Sequence, residues 1–249
     1  MPPGPPEIVL HQFARGEGQD SGSAFCTKAQ RTLTFKGLAY RTHTVVSPFA
    51  LKRLNPGVGK VPVLEYDGTL VPDSTAIARF LDGRHPDPPL WPTDARRRAE
   101  AHLLEDWADE SLYWFVVYHR WQLDETFWPF AARTFGFVPA LVRPLAVRAA
   151  RRTALAQLRG QGIGRLTPDA VQGLLEGHLA ALETLLEERE WLVGDAPTLA
   201  DVAVFATVQG LHSPGLPRTR RLVDERPGLV AWARRVDERT RGEHTVAWA

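Results

Sequence analysis

The stretch VPVLEYDGTLVPDSTAIARFLD, Val61 to Asp82, decides how the first third of this 249-residue chain is read. VPVLEY and TLV are short β-prone runs, and Asp67-Gly68 joins them. That pair is the strongest short hairpin signal, because a two-residue type I′ turn needs positive φ at both positions. Asp73-Ser74 then opens a helix with Ala76, Ile77, Phe80 and Leu81 on one face. The stretch therefore predicts strand, tight turn, strand, helix.

Working outward towards the N-terminus, EIVLHQ (7–12) is brief, β-prone and bounded by a Pro-rich leader and a Gly-rich loop, and it predicts a strand. Residues 25–36 place Phe25, Ala29, Leu33 and the stem of Lys36 on one helical face, and Gly37 stops that helix. Tyr40 to Val46 alternates as a second strand, and residues 47–59 read as irregular, with Pro48, Pro56, Gly57 and Gly59. The order is β-α-β-loop-β-β-α, that of a thioredoxin-like α+β domain.

Towards the C-terminus, HPDPPLWPTD (85–94) is a Pro-rich break. Everything beyond it looks helical. Arg96 to Tyr118 predicts one long helix, and residues 136–160 carry apolar positions interleaved with arginines. Thr167-Pro168-Asp169 opens a helix to about Glu190, with Thr as N-cap and Pro in the first turn. Thr198 and Asp201 form a capping-box-like start with Asp in place of the usual Glu or Gln. The following DVAVFATVQGL (201–211) is apolar on nearly all sides and should be buried. The expected domains are 1–86 and 94–249, with 87–93 as linker.

Composition narrows the function. A formal net charge of +1 gives no global pull on nucleic acid. One cysteine cannot form an internal disulfide, which fits a reducing cytoplasm. The N-terminal MPPGPPEIVL does not resemble a secretory signal, and the apolar runs are too short to span a bilayer. The eight histidines are scattered, so no metal site is expected. GQGIGR lacks the end of a phosphate loop and reads as a turn. The Arg-rich stretch 143–165 reads first as a solvated face, with an acidic partner or lipid headgroups as the alternative.

The candidate chemistry lies in GSAFCTKAQRTL (22–33), where Ser23 and Cys26 form an S-x-x-C pattern and Ser21 precedes them in the loop GEGQDSGS (16–23). Ser23 reads as an N-cap or a catalytic hydroxyl, and Cys26 as a buried residue or a reactive thiol. Arg15 and Lys28 are nearby cations, Lys28 being read as a solvated helix residue.

A thioredoxin-like domain, a Pro-rich linker and an all-helical domain together resemble the glutathione transferase superfamily. Val61-Pro62, Asp73-Ser74 and WLVGDAPTLADVAVF (191–205) sharpen the likeness. HQFARGEGQDSGSAFCTK, GKVPVLEYDGTLVPDS, SLYWFVVYHRW and RGQGIGRLTPDAV look like the branch of metaxins, failed-axon-connections proteins and their bacterial relatives.

The resemblance implies a glutathione site. Pro62 would be cis, and Val61 would lend its backbone to the peptide part of glutathione. Ser74 and free N–H groups would receive the γ-glutamyl carboxylate, and Asp73 would pair with the ammonium. Lys60 or Lys52 would meet the glycine carboxylate. Ser23 or Ser21 would hold the sulfur as thiolate. Trp107, Tyr113, Trp114 and Tyr118 would be candidate walls of an electrophile pocket between the domains, although aromatic residues at this spacing are more often core. The expected reaction is transfer of the glutathione thiolate to a small apolar electrophile by a cytoplasmic homodimer without nucleic acid, membrane span or metal. The alternatives are a non-catalytic metaxin-like adaptor and a thiol transferase or peroxidase using Cys26. The long insert 121–167 could block the dimer face.

Overall fold

The computed structural model describes residues 4–248; the first part of the Pro-rich leader lies outside them. The first domain contains β1 (Ile8–Gln12), α1 (Ala24–Phe35), β2 (Arg41–Thr44), α2 (Pro48–Leu54), β3 (Val63–Tyr66), β4 (Thr69–Pro72) and α3 (Ser74–Arg84). The sheet order is β2-β1-β3-β4. β1 runs parallel to β2 and antiparallel to β3, placing Leu10 opposite both Thr42 and Leu64. β3 and β4 close as the expected hairpin, with φ 47° at Asp67 and 79° at Gly68.

One expectation here needs correction. Residues 47–59 are not wholly irregular, because α2 occupies 48–54. Pro48 at the start is pre-organised for a helix and gives up an N–H that would have no partner there. Without a buried residue of its own, this seven-residue helix leaves too weak a periodic signal to read. β2 is likewise an exposed edge strand, with no buried side chain between Arg41 and Thr44.

Beneath the sheet, Ile8, Leu10, Leu64 and Tyr66 meet Ala29 and Leu33 of α1 and Ile77 and Leu81 of α3. Gly37, with φ 66°, ends α1 as expected. Residues 85–94 form neither helix nor strand, yet Leu90 is fully buried and its carbonyl accepts a hydrogen bond from Leu199 N at 2.9 Å. Lys36 sits beneath this segment, donating to the Pro88 carbonyl at 2.6 Å and the His85 carbonyl at 2.7 Å.

The second domain is helical. The long helix expected over 96–118 is α4 (Ala95–Trp107), a π-helical turn (Ala108–Leu112) and α5 (Tyr113–Trp121) in direct succession. Then follow α6 (Asp124–Thr134), α7 (Arg143–Gln161), a 3-10 turn at Ile163–Arg165, α8 (Pro168–Leu186), α9 (Leu199–Leu211), α10 (Pro217–Asp224) and α11 (Pro227–Thr240). GQGIGR is a turn, as read, with φ 117° at Gly162. Every residue of α9 is buried. Its N-terminus carries the capping box, and Asp201 also accepts from Leu192 N at 2.9 Å and Trp232 Nε1 at 3.0 Å. α9 packs against both α1 and α4, so it is the axle between the domains.

Candidate active site

α1 begins at Ser23, which has extended φ/ψ and whose side chain makes no capping bond. The residue is half-buried, its hydroxyl lies beside the Cys26 thiol, and it is not among the residues that line the cleft. Ser21 is differently placed: it is fully buried, and its hydroxyl donates to the Phe13 carbonyl at 3.0 Å. Cys26 is also fully buried, beside Val45 and Val61. Burial pushes its thiol up to about 11, against weaker lowering by the Phe13 backbone and the Ser23 and Ser21 hydroxyls. A thiol held there is not a thiolate at neutral pH, which argues against Cys26 as nucleophile, while burial and the bond to Phe13 argue against Ser21 as a group reaching a ligand.

The cleft lies between α1, the β3 entrance, the start of α3 and the wall of α4, with a volume of about 480 Å³. Val61, Pro62 and Asp73 line one side. The Val61–Pro62 bond is cis. Val61 itself makes no hydrogen bond through its backbone among the described residues. Ser74 is buried and its hydroxyl has no partner. Of the first N–H groups of α3, those of Thr75 and Ala76 are taken by Asp73 Oδ1, at 3.0 and 2.9 Å. The expectation of several free N–H groups there is thus narrowed to that of Ser74. Lys60 lines the cleft and Lys52 does not; Lys52 packs its stem against Gly59 instead.

The opposite wall is acidic. Glu105, Asp106, Asp109 and Glu110 come from α4 and the π turn. π turns recur at functional sites because the extra residue re-aims side chains, and this one delivers Asp109 to the cleft. Lys28 lies beneath, 1% exposed, donating to Asp109 at 2.6 Å, to Thr75 Oγ1 at 2.9 Å and to Glu105. Reading Lys28 as solvated is therefore wrong. It is a buried cation spent on two carboxylates, so it does not supply charge to a sulfur. Desolvation raises the Asp109 carboxyl to about 6, with Lys28 pulling it down and Glu105 and Asp73 pushing it up. The signal in the sequence was the i, i+4 pair Glu105 and Asp109; nothing local linked it to a lysine on another domain.

Most of the candidate aromatic walls belong to the core, the commoner role at their spacing. Trp107 packs on His178 and belongs with Trp114 to the margin of the helical core, while Tyr118 is buried within it. Only Tyr113 reaches towards the cleft, through Phe25, whose ring lies 4.6 Å away. Phe25 lines the cleft itself instead of joining Ala29 and Leu33 beneath the sheet. Arg15 is exposed. No group of three or more His, Cys, Asp or Glu able to hold a metal occurs among the described residues.

A mixed four-stranded sheet covered by helices, joined to a helical domain across a cleft with a cis-proline mouth, defines the architecture of a thioredoxin-fold transferase. Family models described as the glutathione S-transferase N-terminal and C-terminal domains match residues 24–127 and 145–235. The chain belongs to the glutathione S-transferase superfamily. It is similar to isoprene-epoxide–glutathione S-transferase of Rhodococcus sp. (strain AD45), with 25% identity over 92% of this chain and 97% of that protein. It is also similar to Failed axon connections of Drosophila melanogaster, with 23% identity over 82% of this chain and 50% of that one. A glutathione S-transferase from Methylobacterium radiotolerans, solved with glutathione sulfonate, superposes with a TM-score of 0.61 at 26% identity, covering 98% and 96% of the two chains.

Proposed function

We propose that this protein is a glutathione transferase that binds reduced glutathione in the cleft and joins its sulfur to a small apolar electrophile. The observation that carries the reading is that Val61, with no backbone hydrogen bond among the described residues, lines one cleft with Asp73 and Thr75, and that the unpartnered Ser74 hydroxyl lies buried between those two at the start of α3. A glutathione backbone pairs with the first, and its γ-glutamyl carboxylate meets the second at a helix N-terminus. Asp73 keeps one carboxylate oxygen for the ammonium while the other caps α3. Lys60 is the better placed of the two lysines for the glycine carboxylate.

In the reaction the glutathione thiol loses its proton to solvent, and the thiolate attacks the electrophile. The new C–S bond forms as the bond to the leaving group, or a strained C–O bond, breaks. Ser23 donates its hydroxyl to the thiolate at the start of α1, where the helix dipole adds positive potential. That a similar protein is named for isoprene epoxide supports a small apolar electrophile. A cytoplasmic homodimer completes the reading, supported by the unpaired cysteine and by family habit.

Calorimetric titration with reduced glutathione tests it. Binding is expected in the micromolar to low-millimolar range, about −4 to −8 kcal/mol. Ser74→Ala should weaken it by about tenfold or more, the loss of a hydrogen bond to a charged group. No heat and no thermal shift at high glutathione would favour the adaptor reading, for which the likeness to Failed axon connections is the supporting observation.

A further inference from the structure

We propose that the outer hairpin of α6 and α7 docks this protein onto an anionic membrane surface. The hairpin is an outlying piece of the helical domain. Both helices pack on α5, and they share a small core of Phe127, Ala131 and Val147.

Its charge is one-sided. α7 carries five arginines and no acidic residue, in a chain whose formal net charge is only +1. Two of the five are committed to structure. Arg143 donates to the Val138 and Gly136 carbonyls, at 3.0 Å each. Arg151 pairs with Asp124 at 2.6 Å and lies 4.2 Å over the Phe127 ring. Arg148, Arg152 and Arg159 are exposed and make no ion pair among the described residues. With Leu145 and Leu155 they recur every three or four residues, so they form one stripe along α7. The stripe runs about 21 Å at 1.5 Å per residue. Beside Trp128, its Arg148, Arg152, Leu155 and Arg159 line an open groove of about 550 Å³.

The hairpin tip is apolar. Of the fourteen large hydrophobic side chains exposed among the described residues, five fall between 128 and 145. Leu141, in the connecting loop, is 94% exposed, and Leu145 and Phe137 are 73% and 66% exposed. Exposed aliphatics at a loop tip, an aromatic at its side and a stripe of uniform positive charge match the depth profile of an anionic bilayer. The tip enters the acyl boundary, Trp128 rests at headgroup level, and the guanidiniums meet phosphates. A soluble acidic protein would account for the arginines but not for a nearly naked leucine at the tip. A small anion would need neither the length of the stripe nor the tip.

The test is co-sedimentation of the full chain with unilamellar vesicles of phosphatidylcholine, pure or doped with phosphatidylglycerol. The protein should bind the doped vesicles, bind pure phosphatidylcholine hardly at all, and release as salt rises. The triple variant R148Q/R152Q/R159Q should bind on the order of a hundredfold more weakly, at about fivefold per arginine near the surface. Leu141→Asp should separately abolish stable binding. These positions are exposed, so both variants should keep the parent thermal melt. Equal binding to both vesicle types, no loss in either variant, or no vesicle binding at all overturns the proposal. Complete displacement by millimolar glycerol phosphate would mean a site for a free anion and overturns it equally. Capture on immobilised polyglutamate without vesicle binding would assign the face to an acidic protein instead.

Discussion

Ser23 and Cys26 stand three residues apart, and the fold gives them opposite prospects. Ser23 is half-buried and makes no capping bond at the start of α1, whereas Cys26 is buried with its thiol raised to about 11. Ser23→Ala should lower kcat by about tenfold to a hundredfold, the worth of a hydrogen bond to a charged sulfur. The glutathione Kd should stay nearly constant; an unchanged kcat would remove Ser23 from the mechanism. Asp109 makes a prediction about pH. Its folded pKa, about 6, lies above the ordinary 3.8, so the folded state holds the proton more tightly than the unfolded chain. That advantage is complete below the ordinary value and is lost as pH rises through about 6, at up to about 1.4 kcal/mol per pH unit. Urea unfolding at pH 4.5 and 7 should therefore show a smaller pH difference in Asp109→Asn than in the parent. Identical differences in the two proteins would show that Asp109 does not titrate in this window. The position of Ser23 at the N-cap of α1 was legible in the sequence, because a helix start has a local signature. The elevated Asp109 was not, because its cause is burial beside residues far along the chain.

Among the elements, α9 was the most legible and α1 the most misleading. α9 is apolar all round, and its capping box is a local pattern, so burial followed from the sequence alone. Asp201 serves four donors at once, from Leu192, Thr198 twice and Trp232. Asp201→Ala should strand these buried donors and cost about 3 kcal/mol or more, each lost partner being worth about 1–3 kcal/mol. A shift in the urea midpoint measures it; a loss below about 1 kcal/mol would mean that water replaces the carboxylate. α1 carries a face of Ala29 and Leu33, yet Lys28, Gln30 and Arg31 are buried as well. It lies between α3 on one side and α9 and α11 on the other. Periodicity finds a face that meets one layer, but it has no signal for a helix enclosed on both sides, where polar residues are neutralised by distant partners. α2 and α6 went unplaced for a related reason: each is short, and each carries a proline, at the start of α2 and inside α6.

At the scale of the whole molecule, Arg31 joins what the sequence keeps apart. Its guanidinium, fully buried, meets Asp20 of the loop before α1 at 2.5 Å, Asp237 of α11 at 2.7 Å and the Val246 carbonyl at 2.8 Å. Asp20 in turn accepts from Val246 N at 2.7 Å, and its N–H donates to Gln209 of α9. Arg31→Met should cost about 3–5 kcal/mol, because it leaves two buried carboxylates uncompensated. Adding Asp20→Asn should recover part of that loss; if the double variant is no better than the single, the penalty is one of shape and not of charge. The sequence alone determined the order of strands and helices in the first domain apart from α2, its hairpin, the Pro-rich break and the capped core helix. Those features rest on residues within a few positions of each other, where turn chemistry and periodicity act. Tertiary structure alone decided that Lys28 and Arg31 are buried, that Cys26 is enclosed with its thiol raised, that the cleft has an acidic wall and which aromatic residues of α5 lie in the core. Each of those outcomes depends on desolvation and on charges brought together from opposite ends of the chain, and neither is written in any local stretch of residues.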